Sequence, residues 1–315
     1  MTVKVYIDGQ AGTTGLEIAG RLRGRADIEL LVIAEADRKR DAARRCLLHS
    51  ADVAILCLPD DAAREAVRLA GPGCRLIDAS TAHRTDPGWA YGLPELSTQQ
   101  PAAIASARLV SNPGCYPQGF ILAVRPLIEA GLLDAATPLS VHALSGYSGG
   151  GRKMIEAYRA LDTEQREAWG ARPYSLELAH KHLPEMRRYA GTGREPLFSP
   201  IVGNFYKGMV TQIPLFGEQV SAGTAPADVR RILAEAYAGA RFVDVLPFPA
   251  DEALDGGYLS PTACNGTNRL EIAVFGNERR MLLSARYDNL GKGAAGAAVQ
   301  NLNLMLGCDE AAGLE

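Results

Sequence analysis

The 315-residue sequence lacks the features that mark several special classes of protein. Its apolar runs fall well short of the roughly 18 residues that a membrane-spanning helix needs, so we expect no membrane partner. Its net charge is only -3, which gives no support to nucleic-acid binding. It contains no internal repeat, low-complexity segment or serine- and glycine-rich linker. The content of 47% hydrophobic residues is ordinary for a globular protein, and the length favours two domains.

The sequence is also poor in cysteine, with six residues scattered along the chain. The absence of a C-x-x-C pair argues against a zinc site, and the wide spacing argues against a disulfide framework. Cys57 and Cys74 lie in apolar runs, where a free cysteine normally serves as a small core residue. Because a predicted strand opens the sequence and leaves no room for a signal peptide, we expect a cytoplasmic protein.

Up to residue 113, the sequence alternates predicted strands with predicted helices. The strands read as apolar throughout rather than alternating, which is typical of a parallel sheet that is covered on both faces. The predicted strands are 3–8, 28–34, 51–59, 74–80 and 107–113, and the predicted helices are 14–24, 41–49 and 60–71.

After residue 115, the pattern changes to strands that often alternate polar with apolar residues. A hairpin signal at Gly276 and Asn277 adds to the indication of a mixed or antiparallel sheet with helices on one face. The last predicted helix is rich in small residues. Helices are predicted at 117–131 and 291–306, and strands at 138–144, 209–215, 241–247, 268–276 and 279–287.

A glycine-rich loop, "DGQAGTTG", follows the first predicted strand and leads into a helix that begins at about Thr14. Gly9, Gly12 and Gly15 would let backbone N–H groups and the positive end of the helix approach a pyrophosphate. The spacing is G-x-x-G-x-x-G rather than G-x-G-x-x-G, and any tight strand-to-helix turn is the alternative. The position after the first strand of a parallel sheet favours a dinucleotide site that includes Thr13 and Thr14.

The residues after the second predicted strand indicate which nicotinamide cofactor is used. Glu35 or Asp37 could hold a ribose 2′-hydroxyl, as in NAD-binding proteins, whereas the basic run 38–40 could hold a 2′-phosphate. We favour NADP, with Arg38 as the expected contact.

The string "NPGCYP", residues 112–117, places Cys115 among turn-forming residues. Pro117 suits the first turn of a helix, so Cys115 is expected just before a helix N-terminus. That position stabilises a thiolate and supplies N–H donors to an oxyanion. The alternative is an inert buried cysteine. A thiolate beside a nicotinamide predicts attack on an activated acyl group, followed by hydride exchange with the resulting thioester.

Such chemistry needs a general acid or base, and histidine is the usual choice. We set aside His49, His83 and His142 as surface, loop and sheet residues. His180 and His182 in "LAHKHLPEM" are two residues apart, so their side chains would share a side in an extended segment. His180 is the candidate base, with His182 close to the substrate. A metal-binding pair is the rival interpretation, but the spacing suggests no third ligand, so we expect no metal.

Several longer strings resemble one known family, the N-acetyl-gamma-glutamyl-phosphate reductases of arginine biosynthesis, in its shorter subfamily. The resemblance spans nearly the whole chain, and the combination of "NPGCYP" with "HKHLPE" is its most specific part. The other strings are "YGLPEL", "GYSGGGRK", "VGNFYKGM" and "DNLGKGAAGAAVQNLNLMLG".

The resemblance implies the fold, the reaction and the assembly. The fold would be α/β, with a Rossmann-type NADP-binding domain at 1–114, completed by 287–315, and an α+β catalytic and dimerisation domain at 115–286. The reaction would be NADPH-dependent reduction of N-acetyl-gamma-glutamyl phosphate, with Cys115 as nucleophile and His180 as acid/base. The protein would be a cytoplasmic homodimer or homotetramer.

A substrate with a carboxylate and an acyl phosphate needs cationic donors near the cysteine. The candidates are Arg84, Arg152, Lys153 and Lys207, each with a surface salt bridge as the alternative. Asn289 is a candidate contact to the nicotinamide. The rival functions are an aspartate-semialdehyde dehydrogenase, a lysine-pathway acyl-phosphate reductase, and a regulatory protein whose cysteine only senses redox state.

Overall fold

The computed structural model describes residues 2–314, and its chain divides into two compact units. The first unit runs to Gly114 and resumes at Ala294, and the second unit is Cys115–Gly293. Residues 288–293 belong to the second unit because Asp288 and Asn289 are bonded to Lys207 and Gly208. Among residues 2–314, no helix combines the length and the apolar character that a bilayer span requires.

The first unit contains six strands and five helices within its described residues. The strands are β1 (Val3–Asp8), β2 (Ile28–Leu31), β3 (Val53–Leu56), β4 (Arg75–Asp78), β5 (Ala90–Tyr91) and β6 (Leu109–Ser111), and the helices are α1 (Thr13–Leu22), α2 (Asp41–Ser50), α3 (Asp60–Leu69), α4 (Gln100–Ser106) and, from the C-terminal segment, α10 (Gly296–Leu306).

These strands form one parallel sheet in the order β2-β1-β3-β4-β6-β5. The chain moves outward from β1 to β2 and then back past β1 to β3 and on to β4. Because the direction reverses at β2, right-handed crossovers place α1 on one face of the sheet and α2 and α3 on the other. Because both faces are covered, the central strand β3 is buried at every position. The core includes Tyr6, Leu48 and Leu76. This is the parallel, doubly covered sheet that the apolar strands predicted.

The second unit holds the remaining elements. Its strands are β7 (Ser140–Gly146), β8 (Arg172–Pro173), β9 (Leu197–Gly203), β10 (Met209–Phe216), β11 (Val243–Val245), β12 (Leu270–Asn277) and β13 (Arg280–Tyr287), and its helices are α5 (Cys115–Glu129), α6 (Gly151–Ala160), α7 (Thr163–Trp169), α8 (Leu183–Ala190) and α9 (Pro226–Ala236).

The sheet of the second unit is mixed, in the order β11-β12-β13-β10-β7-β9-β8. Two pairs, β7–β9 and β11–β12, are parallel, and the other four are antiparallel. The hairpin predicted at Gly276 is the β12–β13 connection. Helix α5 packs against β10, β12 and β13, and every residue from Tyr116 to Leu127 except Arg125 is buried. A helix that is apolar on all sides is therefore the centre of this unit.

The glycine-rich loop of the first unit depends on a close backbone contact. Gly9 adopts a φ of 88° and accepts a hydrogen bond from the Gly12 N–H at 2.9 Å. A Cβ at Gly15 would lie 2.6 Å from the Gly9 carbonyl oxygen, which is far inside van der Waals contact. The first turn of α1 can therefore lie against the loop only if residue 15 has no side chain.

Two alanine substitutions on α1 test this contact. We expect Gly15→Ala to lower the stability by about 1–3 kcal/mol and to weaken NADPH binding, since either the loop or the helix must shift. Gly20→Ala is the matched control, because nothing lies within 4 Å of its added Cβ. The control should gain roughly 0.5–1 kcal/mol from helix propensity. Urea unfolding midpoints and fluorescence titration with NADPH give both quantities, and equal effects of the two variants would contradict the contact.

Candidate active site

Cys115 is the first residue of α5. The helix thus begins two residues earlier than the predicted start at Pro117, because Tyr116 and Pro117 are already buried in the helix that fills the second unit. The side chain of Cys115 therefore lies at the positive end of the helix dipole, which stabilises a thiolate. None of the six cysteines, which all lie within residues 2–314, is in a disulfide.

Tyr287 fixes the first turn of α5. Its hydroxyl donates a hydrogen bond to the Cys115 carbonyl oxygen at 2.6 Å and accepts one from the Gly119 N–H at 3.2 Å. The Tyr287 side chain is fully buried at the end of β13. Because the carbonyl and the N–H belong to the same helical turn, this single hydroxyl restrains the backbone that carries the thiol.

Three tyrosine hydroxyls lie close enough to Cys115 for its charge to act on them. The hydroxyl oxygens of Tyr116 and Tyr174 share a hydrogen bond at 3.0 Å. Burial raises the pKa of Tyr174 to about 12, and the charge of the Cys115 thiolate adds to the increase. Burial, again helped by the Cys115 charge, raises the pKa of Tyr116 and of Tyr287 as well. All three phenols therefore stay protonated at neutral pH.

His180 and His182 lie beside the ring of Tyr116, the residue that follows the cysteine. The ring centroids of the two histidines are 4.6 Å apart, and each is 5.9 Å from that of Tyr116. The prediction of an extended segment was wrong, because His182 has helical dihedrals and caps α8. The turn nevertheless keeps both rings on one side. We call Cys115, Tyr116, Tyr174, His180 and His182 the cysteine cluster.

The local backbone selects the tautomer of His180. The His182 N–H donates to His180 Nδ1 at 3.2 Å. A neutral imidazole with Nδ1 as acceptor carries its proton on Nε2. His180 therefore presents an N–H donor from its other nitrogen, which is the group that a developing oxyanion requires.

The chain after β13 lies against the cysteine. A Cβ at Gly293 would be 3.2 Å from that of Cys115. In the same segment, the buried carboxylate of Asp288 pairs with Lys207 Nζ at 3.1 Å. Asn289 is also buried, and its amide accepts from the Gly208 N–H and donates to the Ser148 hydroxyl, at 2.8 and 2.9 Å. The printed contacts of Asn289 are thus internal to the second unit, and its contact with the nicotinamide stays a prediction.

The other three cationic side chains predicted to bind the substrate differ in their burial and in their partners. Arg84, in the first unit, is buried and donates to the carbonyl oxygens of Asn112 and Ala79. Arg152 is exposed on α6 and pairs with Glu156 at 2.7 Å. Lys153 lines a cavity that also includes Tyr174, a member of the cysteine cluster. Their binding roles stay predictions.

The first unit has the features of a dinucleotide site. Gly12 caps α1 without a side-chain hydrogen bond, and Thr13 and Thr14 open the helix. The contact between Gly15 and Gly9 leaves a backbone surface that a pyrophosphate can approach. Arg38 lies after β2 and pairs with Glu35 at 3.1 Å, with about two-fifths of its side chain exposed. These residues fit a nicotinamide dinucleotide with a 2′-phosphate.

Sequence reasoning missed Tyr174 and Tyr287 as parts of the site. The string "RPYS" precedes the histidines and could have drawn attention to Tyr174, since an aromatic residue rarely sits in a loop without a partner. Tyr287 ends a predicted strand, and nothing in the sequence connects it with Cys115. In the described part of the chain, no group of three His, Cys, Asp or Glu side chains is placed to hold a metal ion.

Comparison with known proteins assigns both units to recognised families. Residues 40–105 match the family described as semialdehyde dehydrogenase, NAD binding domain. Residues 115–289 match the semialdehyde dehydrogenase dimerisation domain.

Curated relatives match over almost the entire chain. The sequence is 50% identical to N-acetyl-gamma-glutamyl-phosphate reductase 2 of Nostoc sp., with 99% of each chain covered. It is 51% identical to N-acetyl-gamma-glutamyl-phosphate reductase of Chelativorans sp., with 97% of this chain and 99% of the relative covered.

Solved structures of more distant proteins share the fold. Aspartate semialdehyde dehydrogenase II of Vibrio cholerae superposes with a TM-score of 0.71 at 15% identity, covering 97% of this chain and 99% of that one. Aspartate semialdehyde dehydrogenase of Francisella tularensis gives a TM-score of 0.72 at 16% identity, covering 97% and 100%. These likenesses establish the architecture and not the substrate.

Proposed function

This chain belongs to the N-acetyl-gamma-glutamyl-phosphate reductase family, and from that premise we propose that it performs the reaction its relatives are named for. It reduces N-acetyl-gamma-glutamyl phosphate to N-acetyl-L-glutamate 5-semialdehyde and phosphate, a step of arginine biosynthesis. The observation that carries the proposal is the position of Cys115 at the first residue of α5, next to Tyr116, whose ring centroid lies 5.9 Å from that of His180.

The cofactor of this reaction is NADP(H). Gly9, Gly12 and Gly15 hold the pyrophosphate against the N-terminus of α1, with Thr13 and Thr14 beside them. Arg38 holds the 2′-phosphate. Bound NADPH supplies the hydride that reduces the acyl group on Cys115.

Cys115 is the nucleophile. Its thiolate attacks the acyl carbon, a C–S bond forms, and the bond from that carbon to the phosphate oxygen breaks, so that phosphate leaves with the bonding electrons. The N-terminus of α5 stabilises the thiolate before attack and the oxyanion of the tetrahedral intermediate after it.

His180 serves the second half of the reaction. Its Nε2–H stabilises the negative charge that builds on oxygen when the thioester becomes a hemithioacetal. As the hemithioacetal collapses, the C–S bond breaks, the aldehyde forms and the sulfur returns to the thiolate state. His180 in its protonated form gives a proton to the oxygen as the hemithioacetal forms and takes it back as the aldehyde forms, so the histidine ends unchanged.

The proposed substrate-binding residues are His182, Lys207, Lys153, Arg152 and Arg84, and Asn289 is the proposed contact to the nicotinamide. Lys207 and His182 have the strongest support, since both lie in the second unit close to residues that contact the cysteine segment. The dimerisation domain supports a homodimer or homotetramer as the assembly. The cytoplasm is the expected compartment, because the six cysteines form no disulfide within the described residues.

The reverse reaction tests the proposed function. The purified protein should reduce NADP⁺ when given N-acetyl-L-glutamate 5-semialdehyde, and only in the presence of phosphate or arsenate. Cys115→Ser should keep its affinity for NADPH but lose activity by a factor of at least about 10³. A preference for aspartate semialdehyde, or for the one-carbon-longer homologue, would assign the protein to a rival function.

The pH dependence of kcat tests the role of His180. His180→Asn retains a hydrogen-bond donor but cannot titrate, so we expect kcat to fall by about 10²- to 10⁴-fold and one limb of the pH–rate profile to disappear. His182→Asn is the matched comparison, and it should raise KM while both limbs persist. A normal profile in His180→Asn would transfer the acid/base role to His182.

A further inference from the structure

A cavity of about 460 Å³ lies in the second unit between α6, α7 and β8. Its volume is within the range of small-molecule sites in proteins. No residue of this cavity except Lys153 was connected with substrate by the sequence. The side chains that define it are Lys153, Met154, Tyr158, Trp169, Arg172 and Tyr174.

One part of the cavity wall is aromatic and apolar. The rings of Trp169 and Tyr158 meet edge to face, with their centroids 5.0 Å apart. Met154 adds a flexible thioether beside them. Such a wall suits a small apolar group such as a methyl, which gains from contact with ring faces.

The cavity also carries positive charge. The guanidinium of Arg172 stacks on Trp169, 4.2 Å from the ring centroid, which holds it at the wall. Across residues 2–314, no carboxylate forms a salt bridge with Arg172 or with Lys153, whereas the neighbouring Arg152 is paired with Glu156. A cavity with two such cations is complementary to a carboxylate ligand.

Tyr174 connects this cavity with the cysteine cluster. Its side chain lines the cavity, and its hydroxyl is hydrogen bonded to that of Tyr116, the residue next to Cys115. The charge of Cys115 also acts on the Tyr174 hydroxyl. A molecule whose acyl carbon is bonded to the thiol can therefore extend along Tyr174 into the cavity.

We propose that the cavity is the subsite for the amino-acid end of the substrate, with Arg172 paired to the α-carboxylate and the acetyl methyl packed on Trp169 and Met154. This inference rests on the proposed function and deepens it. It makes Arg172 and Trp169 specificity residues, which recognise the part of the substrate that does not react.

Two truncated aldehydes separate the two contacts, with NADP⁺ and phosphate present. 4-Acetamidobutanal lacks the carboxylate of N-acetyl-L-glutamate 5-semialdehyde, and 5-oxopentanoate lacks the acetamido group. Arg172→Gln should raise KM for the full substrate about 10- to 100-fold with little change in kcat, and should leave KM for 4-acetamidobutanal unaltered.

Trp169→Ala should show the complementary pattern. Loss of the ring should raise KM for the full substrate and for 4-acetamidobutanal by about 5- to 30-fold, and KM for 5-oxopentanoate by less, because Arg172 then loses the ring that supports it but keeps its charge. Arg159→Gln, on the exposed side of α6, is the control and should behave as the wild type.

The outcomes distinguish failure of the proposed subsite from failure of the proposed function. If the wild type oxidises the full substrate best but Arg172→Gln and Trp169→Ala change all three KM values equally, or none, the subsite is overturned and the proposed function stands. If the wild type does not prefer N-acetyl-L-glutamate 5-semialdehyde over both truncated aldehydes, the proposed function itself fails.

Discussion

The chemistry proposed for this protein depends on the first turn of one buried helix. Helix α5 begins on Cys115, so the thiol sits at the helix end where the dipole favours negative charge. The Tyr287 hydroxyl bonds both the Cys115 carbonyl and the Gly119 N–H, which keeps that turn in place. Burial of the helix fixes its axis, and the dipole therefore points at the thiol without rearrangement. In the proposed mechanism, the fold itself prepares the sulfur for attack before any substrate binds.

The first unit was predictable because its strands are buried on both faces. Continuous apolar runs, bounded by glycine-containing turns, predicted β1, β3, β4 and β6 within a few residues of their observed bounds. The second unit was harder. Strand β9 carries Pro200 in a short run between loops, and helices α6, α7 and α9 are mostly polar surface helices. Their pairing partners lie far away in the sequence, and no local pattern records such contacts.

In the candidate site, too, local features could be predicted from the sequence and contacts between distant residues could not. Cys115 was singled out by its turn-forming neighbours and stays a predicted nucleophile, and the start of its helix was placed two residues late because Pro117 was assigned to the first helical position. His180 and His182 were paired on the expectation of an extended segment, which was wrong because they lie in a turn, and their roles stay predictions. Asn112 is hydrogen bonded to Ala294 and Asn301 in the first unit. Contacts of this kind join residues nearly two hundred positions apart, and only a folded chain displays them.

The most direct test of the account is a search for the covalent intermediate. The protein is mixed with N-acetyl-gamma-glutamyl phosphate in the absence of NADPH, quenched in acid within its first turnover and digested for mass spectrometry. We predict one acyl group on the peptide that contains Cys115, together with one phosphate released per active site. Release of phosphate without acylation of Cys115, or acylation of another residue, would contradict the account.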